Sequence, residues 1–219
     1  MLKITFYGHS CFGLEDGTTK LITDPYLTGN DLAAVSPREV EADYILVSHG
    51  HGDHVGDTAA IAKRTGASII SPVDVSRELF GNKFPIVPGN IGGKTDLPFG
   101  SVKLVPAIHG SGVAGALACG FVIRIGGKTV YHMGDTSLTR DFELLAGEID
   151  VLLVPIGDVY TMGPEDALRA VKMIRPGLTI PMHYNTFPVI RQDPEAFAAS
   201  VGAAGFEAKV LAPGQGLTL

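Results

Sequence analysis

Residues 48–57 read Ser-His-Gly-His-Gly-Asp-His-Val-Gly-Asp, and no other part of the 219-residue chain restricts its fold so tightly. Ten residues hold three imidazoles and two carboxylates, while the chain's four other histidines, His9, His109, His132 and His183, are scattered. The run Tyr44-Ile45-Leu46-Val47 before the cluster reads as a buried strand. The run from Thr58 to Arg64 after it reads as a helix stopped by Gly66. The cluster therefore sits where a strand hands over to a helix. His49 and His51, two apart on an extended segment, can converge on one ion, and Asp53 and His54, where the helix begins, on a second a few ångströms away. Gly50, Gly52 and Gly56 let the backbone turn under such ions without Cβ clashes. The competing interpretation, a surface turn that traps metal by accident, predicts no further ligands downstream.

Further ligand types do stand at the ends of apolar runs. His109 ends a strand expected over Val102–Ala107, Asp135 follows one over Thr129–His132, and His183 ends one over Thr179–Met182. Taken singly, each is better explained as a capping or core hydrogen-bonding residue. Taken with the cluster, they complete two coordination spheres.

The rest of the chain reads as short elements. Strands are expected at Lys3–Tyr7, Cys11–Leu14, Lys20–Thr23, Ser68–Ser71, Lys83–Val87, Gly120–Ile125, Val151–Val154 and Glu207–Leu211. Helices are expected around Phe142–Ala146 and over Glu165–Ile174 and Pro194–Ala204. Asp16-Gly17 and Gly126-Gly127 are hairpin signals. Glycine, at 28 residues, is about 13% of the chain against a usual ~7%, which fits frequent tight turns. No charge run, low-complexity tract or Pro/Ser-rich hinge marks a boundary, so one domain over 1–219 is expected.

Several classes are disfavoured. A formal net charge of −6 gives no basic surface for an extended nucleic acid. The longest run free of polar side chains, Val113 to Ile123, has 11 residues, whereas a membrane span needs roughly 20. The start of the sequence has no signal-peptide pattern, so a cytoplasmic location is expected. Cys11 and Cys119 have neither disulfide-framework nor zinc spacing and are expected to be reduced core residues. Gly-Gly-Lys-Thr occurs at 92–95 and 126–129, but Pro88 and Val122 replace the leading glycine of a phosphate loop, and both copies are expected to be hairpin turns. Gly8-His9-Ser10-Cys11-Phe12 fails as a serine-nucleophile elbow because Phe12 replaces the last glycine.

The order His-x-His-x-Asp-His, then a His, an Asp and a final His at separate strand ends, resembles the metallo-β-lactamase superfamily over nearly the whole chain. More narrowly, Gly8-His9-Ser10-Cys11-Phe12, Thr23-Asp24-Pro25-Tyr26 and Pro181-Met182-His183-Tyr184-Asn185-Thr186 look like a family of metal-dependent hydrolases related to the L-ascorbate-6-phosphate lactonases. The resemblance implies an α/β fold, a four-layer αββα sandwich with the site at one edge of its packed sheets. It implies that His49, His51 and His109 bind a first metal, that Asp53, His54 and His183 bind a second, and that Asp135 bridges them. It also brings His9 toward the site as proton donor or substrate contact; a structural histidine is the equal alternative. Asp24 is expected to orient a ligand imidazole through its free N–H, and His132 to be core. Tyr184 and Asn185 either face the substrate or make a turn.

The implied cofactors are two divalent ions, zinc by the imidazole-rich donors, with manganese or iron also suited. A hydroxide bridging them would attack a small ester-like substrate such as a lactone or a phosphorylated metabolite, with Asp53 both ligand and general base. The alternatives are a phosphodiesterase or nuclease on the same metals, and a non-catalytic metal-binding protein. Against the last, a structural zinc site closes with four ligands and needs no bridging carboxylate. The expected partner is a small-molecule substrate, with no membrane or extended nucleic acid; self-association as a homo-oligomer stays open.

Overall fold

Short β-branched runs punctuated by turn residues form thirteen strands in two sheets of a computed structural model that describes residues 1–219. The first sheet contains β1 (Lys3–Gly8), β2 (Cys11–Glu15), β3 (Lys20–Thr23), β4 (Tyr44–Leu46), β5 (Ser68–Ile70), β6 (Ile86–Val87) and β13 (Gly216–Thr218), in the order β13-β1-β2-β3-β4-β5-β6. The second contains β7 (Lys94–Leu97), β8 (Gly100–Pro106), β9 (Cys119–Ile125), β10 (Lys128–His132), β11 (Val151–Pro155) and β12 (Leu178–Met182), in the order β12-β11-β10-β9-β8-β7. Each sheet is antiparallel in one part and parallel in the other: β3 to β6 run parallel in the first, β10 to β12 in the second.

Alternation of side chains along the strands builds the layers. Leu21, Leu46 and Ile70 face inward to a core shared with Val102, Phe121, Ile123 and Val130 of the second sheet. Their neighbours Ile22, Ile45 and Ile69 face outward and pack with Ile61 and Ala62 of the helix α2 (Thr58–Thr65), which follows the one-turn helix α1 (Gly52–Val55). Further on come α3 (Val73–Leu79), α4 (Pro164–Ile174) and α5 (Pro194–Ala203); Ala167, Val171 and Phe197 of the last two cover β11 and β12. The layers thus run helix, sheet, sheet, helix, and β11, buried on both faces, is apolar throughout. No helix is long and apolar enough to cross a membrane, and both cysteines are free and buried.

Four expectations need correction. Glu207–Leu211 is not a strand: only Ala208 bridges to Thr179, after which the chain crosses to pair β13 with β1, a strand the turn-rich C-terminus had concealed. Pairing at Lys83–Val87 shrinks to Ile86–Val87, because Pro85 has no N–H to offer and only its carbonyl joins, accepting from Ile69. The segment around Phe142–Ala146 is a tighter 3-10 turn over Arg140–Leu145, capped by Thr139. Of the two Gly-Gly-Lys-Thr copies, 126–129 makes the β9–β10 hairpin, whereas 92–95 turns the chain into β7. Elements α3 and β7, short and weakly patterned, were not anticipated.

At one edge the sheets are tied by polar bonds rather than apolar contact. Cys119 N–H donates to Ser48 O (3.0 Å), His183 N–H to His9 O (2.8 Å), and Gly50 N–H to Ser111 O (2.6 Å). His132 completes the set: its Nδ1 accepts from Gly134 N–H (3.2 Å), which leaves Nε2–H to donate to Ser10 O (2.9 Å). It is a neutral, buried cross-link, as a core residue should be, and burial pulls its pKa down.

Candidate metal centre

Strand ends at this edge carry the chemistry. His9 lies in the β1–β2 turn, Asp24 just beyond β3, the 48–57 segment beyond β4, His109 beyond β8, Asp135 beyond β10 and His183 beyond β12. These are carboxyl ends, where loops of both sheets can project into one space. His9 (φ 56°), Asp24 (φ 37°) and His183 (φ 55°) occupy the left-handed region, unusual for side-chain-bearing residues and a mark of locally imposed geometry. Gly134 (φ 61°) admits Asp135 to the centre, because a Cβ there would lie 2.6 Å from Cys119 O.

Every residue singled out as a ligand candidate meets here. His49 Nε2 lies 3.0 Å and His109 Nε2 3.3 Å from one atom, His51 Nδ1. A ring nitrogen has one proton or one lone pair, so His51 Nδ1 cannot bond both; a cation at the centre would satisfy all three. His9, Asp53, His54 and His183 form a second group, and His49, His54 and Asp135 a third, each with ligand atoms within 4.8 Å of one another. Asp135 lies between the groups. Its Oδ1 is 3.2 Å from His54 Nε2, and its Oδ2 is 3.1 Å from His183 Nε2, 3.5 Å from His109 Nε2 and 3.9 Å from His49 Nε2.

These approaches are close but off line for hydrogen bonds. His9 Nε2, His54 Nε2, Asp135 Oδ1 and His183 Nε2 are buried without a hydrogen-bond partner. Orphaned polar atoms of this kind cost about 1–3 kcal/mol each, so four in one place fit a centre built to hold cations. The electrostatics agree. Burial opposes charge on His54, but the carboxylates of Asp135 and Asp24 overcome it and hold its pKa well above the usual value. Burial pulls His49 down to about 2 and His9 to about 4, keeping their lone pairs free. Asp135 stays ionised because the surrounding imidazoles outweigh its burial.

Comparison with known proteins matches the chain to a family. A family profile described as "Beta-lactamase superfamily domain" covers residues 3–183. A "UPF0173 metal-dependent hydrolase" of Heliobacterium modesticaldum is 50% identical over 100% of this chain and 98% of its own, and one of Symbiobacterium thermophilum is 49% identical over the full length of both. The chain belongs to this metal-dependent hydrolase family. Its sandwich is the metallo-β-lactamase fold: Igni18, a metallo hydrolase from the hyperthermophilic archaeon Ignicoccus hospitalis, superposes with a TM-score of 0.93 at 37% identity, over 100% of this chain and 98% of that one.

Around the centre of the hydrolase runs a polar brace. Asp24 Oδ2 lies 2.8 Å from His54 Nδ1, and Asp24 also accepts from Ser48 N–H (2.7 Å) and Ser48 Oγ–H (2.7 Å). Because that hydroxyl proton is committed, Ser48 Oγ accepts from His49 Nδ1–H at 2.9 Å. One buried carboxylate thereby fixes two imidazoles with Nε2 turned inward. His9 Nδ1 is held at 2.6 Å by Thr186 Oγ1, and its Nε2 faces Asp53 Oδ2 at 3.3 Å. Ser48 and Thr186 lie inside motifs noted from the sequence but had no role there; a hydroxyl next to a ligand histidine was the signal available. Tyr184 and Asn185 do not face the centre. Tyr184 is buried against Phe6 (ring centroids 6.4 Å apart), and Asn185 accepts from Gln192 N–H in a turn.

Proposed function

We propose that the hydrolase, acting as one domain over 1–219, binds two divalent ions and uses them to cleave a small ester-like substrate. The observation that carries this reading is the Asp135 carboxylate, its two oxygens directed to four imidazoles drawn from both sheets. His49, His51 and His109 would hold the first ion, Asp53, His54 and His183 the second, with Asp135 shared. The donor set, rich in imidazole, favours zinc, with manganese or iron compatible. Ions held there would supply hydroxide near neutral pH and polarise the substrate oxygen.

The chain's own groups do the rest. Asp53 keeps its charge because the neighbouring His9 and His54 outweigh its partial burial, so its carboxylate orients the nucleophile and accepts its proton. His9 Nε2, 3.3 Å away, is placed to take part in moving that proton toward the leaving group, and Thr186 fixes the ring that does so. Asp24 and Ser48 hold His54 and His49 in the tautomers that coordination needs.

The test is hydrolysis of a lactone and of a chromogenic phosphodiester by zinc-reconstituted protein, beside Asp135→Ala. A lactone rate lost in the variant supports carbon-centred ester chemistry, and a phosphodiester rate lost likewise moves the reading to a phosphodiesterase. Rates that survive the substitution refute a shared-carboxylate mechanism.

A further inference from the structure

Exposed apolar side chains are concentrated around this centre. Six of the nine large hydrophobic residues exposed to solvent, Leu79, Ile108, Leu117, Val159, Tyr160 and Val189, lie on segments bonded to or packed on it; of the other three, Met1 and Leu219 are chain ends. Leu79 reaches the His49–His51 turn, where a Cβ on Gly50 would lie 3.4 Å from its Cδ1. Ile108 precedes His109, and its N–H donates to Thr136 Oγ1 at 3.0 Å. Leu117 belongs to the loop that accepts Gly50 N–H through Ser111. Val159 and Tyr160 lie between Gly157, packed against His183, and Met162, whose N–H donates to Thr136 O.

Two further observations point the same way. Val159 has φ 54° directly after Asp158 at φ 60°, a conformation that strains a β-branched residue, yet the residue is 67% exposed. Tyr26 and Phe187 stack with ring centroids 6.3 Å apart, each 5.7 Å from the His9 ring, and wall the Asp53 side with aromatic surface. Within ion-pair distance, the partners of Asp24, Asp53 and Asp135 are all histidines. An apolar rim of this kind marks a binding surface.

Resting on the hydrolase reading above, we infer that this rim binds the non-reacting body of the substrate and that this body is apolar, an alkyl or aromatic acyl group rather than a phosphorylated one. A methylene fully removed from water strengthens binding about fourfold, and one half removed about twofold.

Calorimetric titration of the zinc-reconstituted protein with acetate, butyrate and octanoate tests this without turnover, the carboxylate standing for the product's head group. Octanoate should bind at least about tenfold more tightly than acetate. The double variant Ile108→Ser with Leu117→Ser should lose most of that ratio, whereas Leu144→Ser, also exposed but on the 3-10 turn against α4, should keep it. Equal affinities, no octanoate binding, or a ratio unchanged in the double variant would each overturn the inference. A wild-type dimer that the double variant dissociates without changing the ratio would also overturn it, by assigning the rim to a second copy of the chain. If the Asp135→Ala assay fails while the octanoate preference holds, the hydroxide reading falls and the apolar site stands.

Discussion

At the residue scale, the decisive groups are those that leave imidazole lone pairs uncommitted. Asp24 and Ser48 touch no reacting atom, yet they determine which nitrogen of His49 and of His54 faces inward. Ser48→Ala removes the acceptor for His49 Nδ1–H and one donor to Asp24, both in a buried setting. It is expected to weaken zinc binding about 10- to 100-fold, measured by competition with a chromogenic chelator, while Thr23→Ser, a neighbour outside this brace, leaves affinity unchanged. The metal-free protein should also respond to acid. His9, with its pKa depressed by folding from 6.5 to about 4, stabilises the fold fully above pH 6.5 and loses that contribution as the pH falls toward 4. The loss is about 3 kcal/mol from this residue, and His49 adds to it in the same direction. Urea midpoints of the metal-free protein at pH 6.5 and 4.5 check the sign; a higher midpoint at 4.5 would contradict it.

At the element scale, what matters is where strands stop. Strands β4, β8, β10 and β12 each end just before a ligand candidate, and β1 and β3 end at His9 and Asp24. These endings were legible in the sequence because alternation or apolar runs give way there to Gly, Asp or His. The helical run Thr58–Arg64 with its Gly66 stop, and the run Glu165–Ile174, likewise announced α2 and α4. Helix α3 and strand β7 were not legible: the first is seven residues behind Pro72, the second four residues behind a Gly-Gly turn, and neither is long enough to show a period. Gly134 is an element boundary sensitive to substitution and adjacent to a ligand candidate. Gly134→Ala would combine a left-handed φ with a Cβ 2.6 Å from Cys119 O, so the β10 exit and Asp135 must shift. A destabilisation above about 2 kcal/mol and a loss of zinc affinity are expected, measured by thermal unfolding and metal titration; wild-type behaviour in both would show that the loop relaxes freely.

At the scale of the whole molecule, the centre is also a joint between two sheets. His9, His49 and His54 come from the first, His109, Asp135 and His183 from the second, so ions held among them would bind the folded chain and not the unfolded one. Free zinc at a thousandfold excess over its dissociation constant should add about 4 kcal/mol. For a chain of this size that raises the unfolding temperature by about 8–16 °C, read by calorimetry against the metal-free protein. An unchanged temperature in the presence of bound zinc would mean that the ions do not join the sheets.

Through its resemblance to the metallo-β-lactamase superfamily, the sequence by itself determined the kind of fold to expect and which residues were candidates for the centre. Strand alternation, turn glycines and ligand spacing are local properties, written within ten residues at a time. Only the tertiary structure decided the distances between groups remote in sequence: Asp135 between His54 and His183, Thr186 on His9, and Ser10 on His132. It also decided that β13 pairs with β1, at the far end of the chain, while Glu207–Leu211 does not extend the sheet. Contacts of that range depend on how two sheets stack and twist against each other, and that packing is a property of the assembled core, which no local window contains.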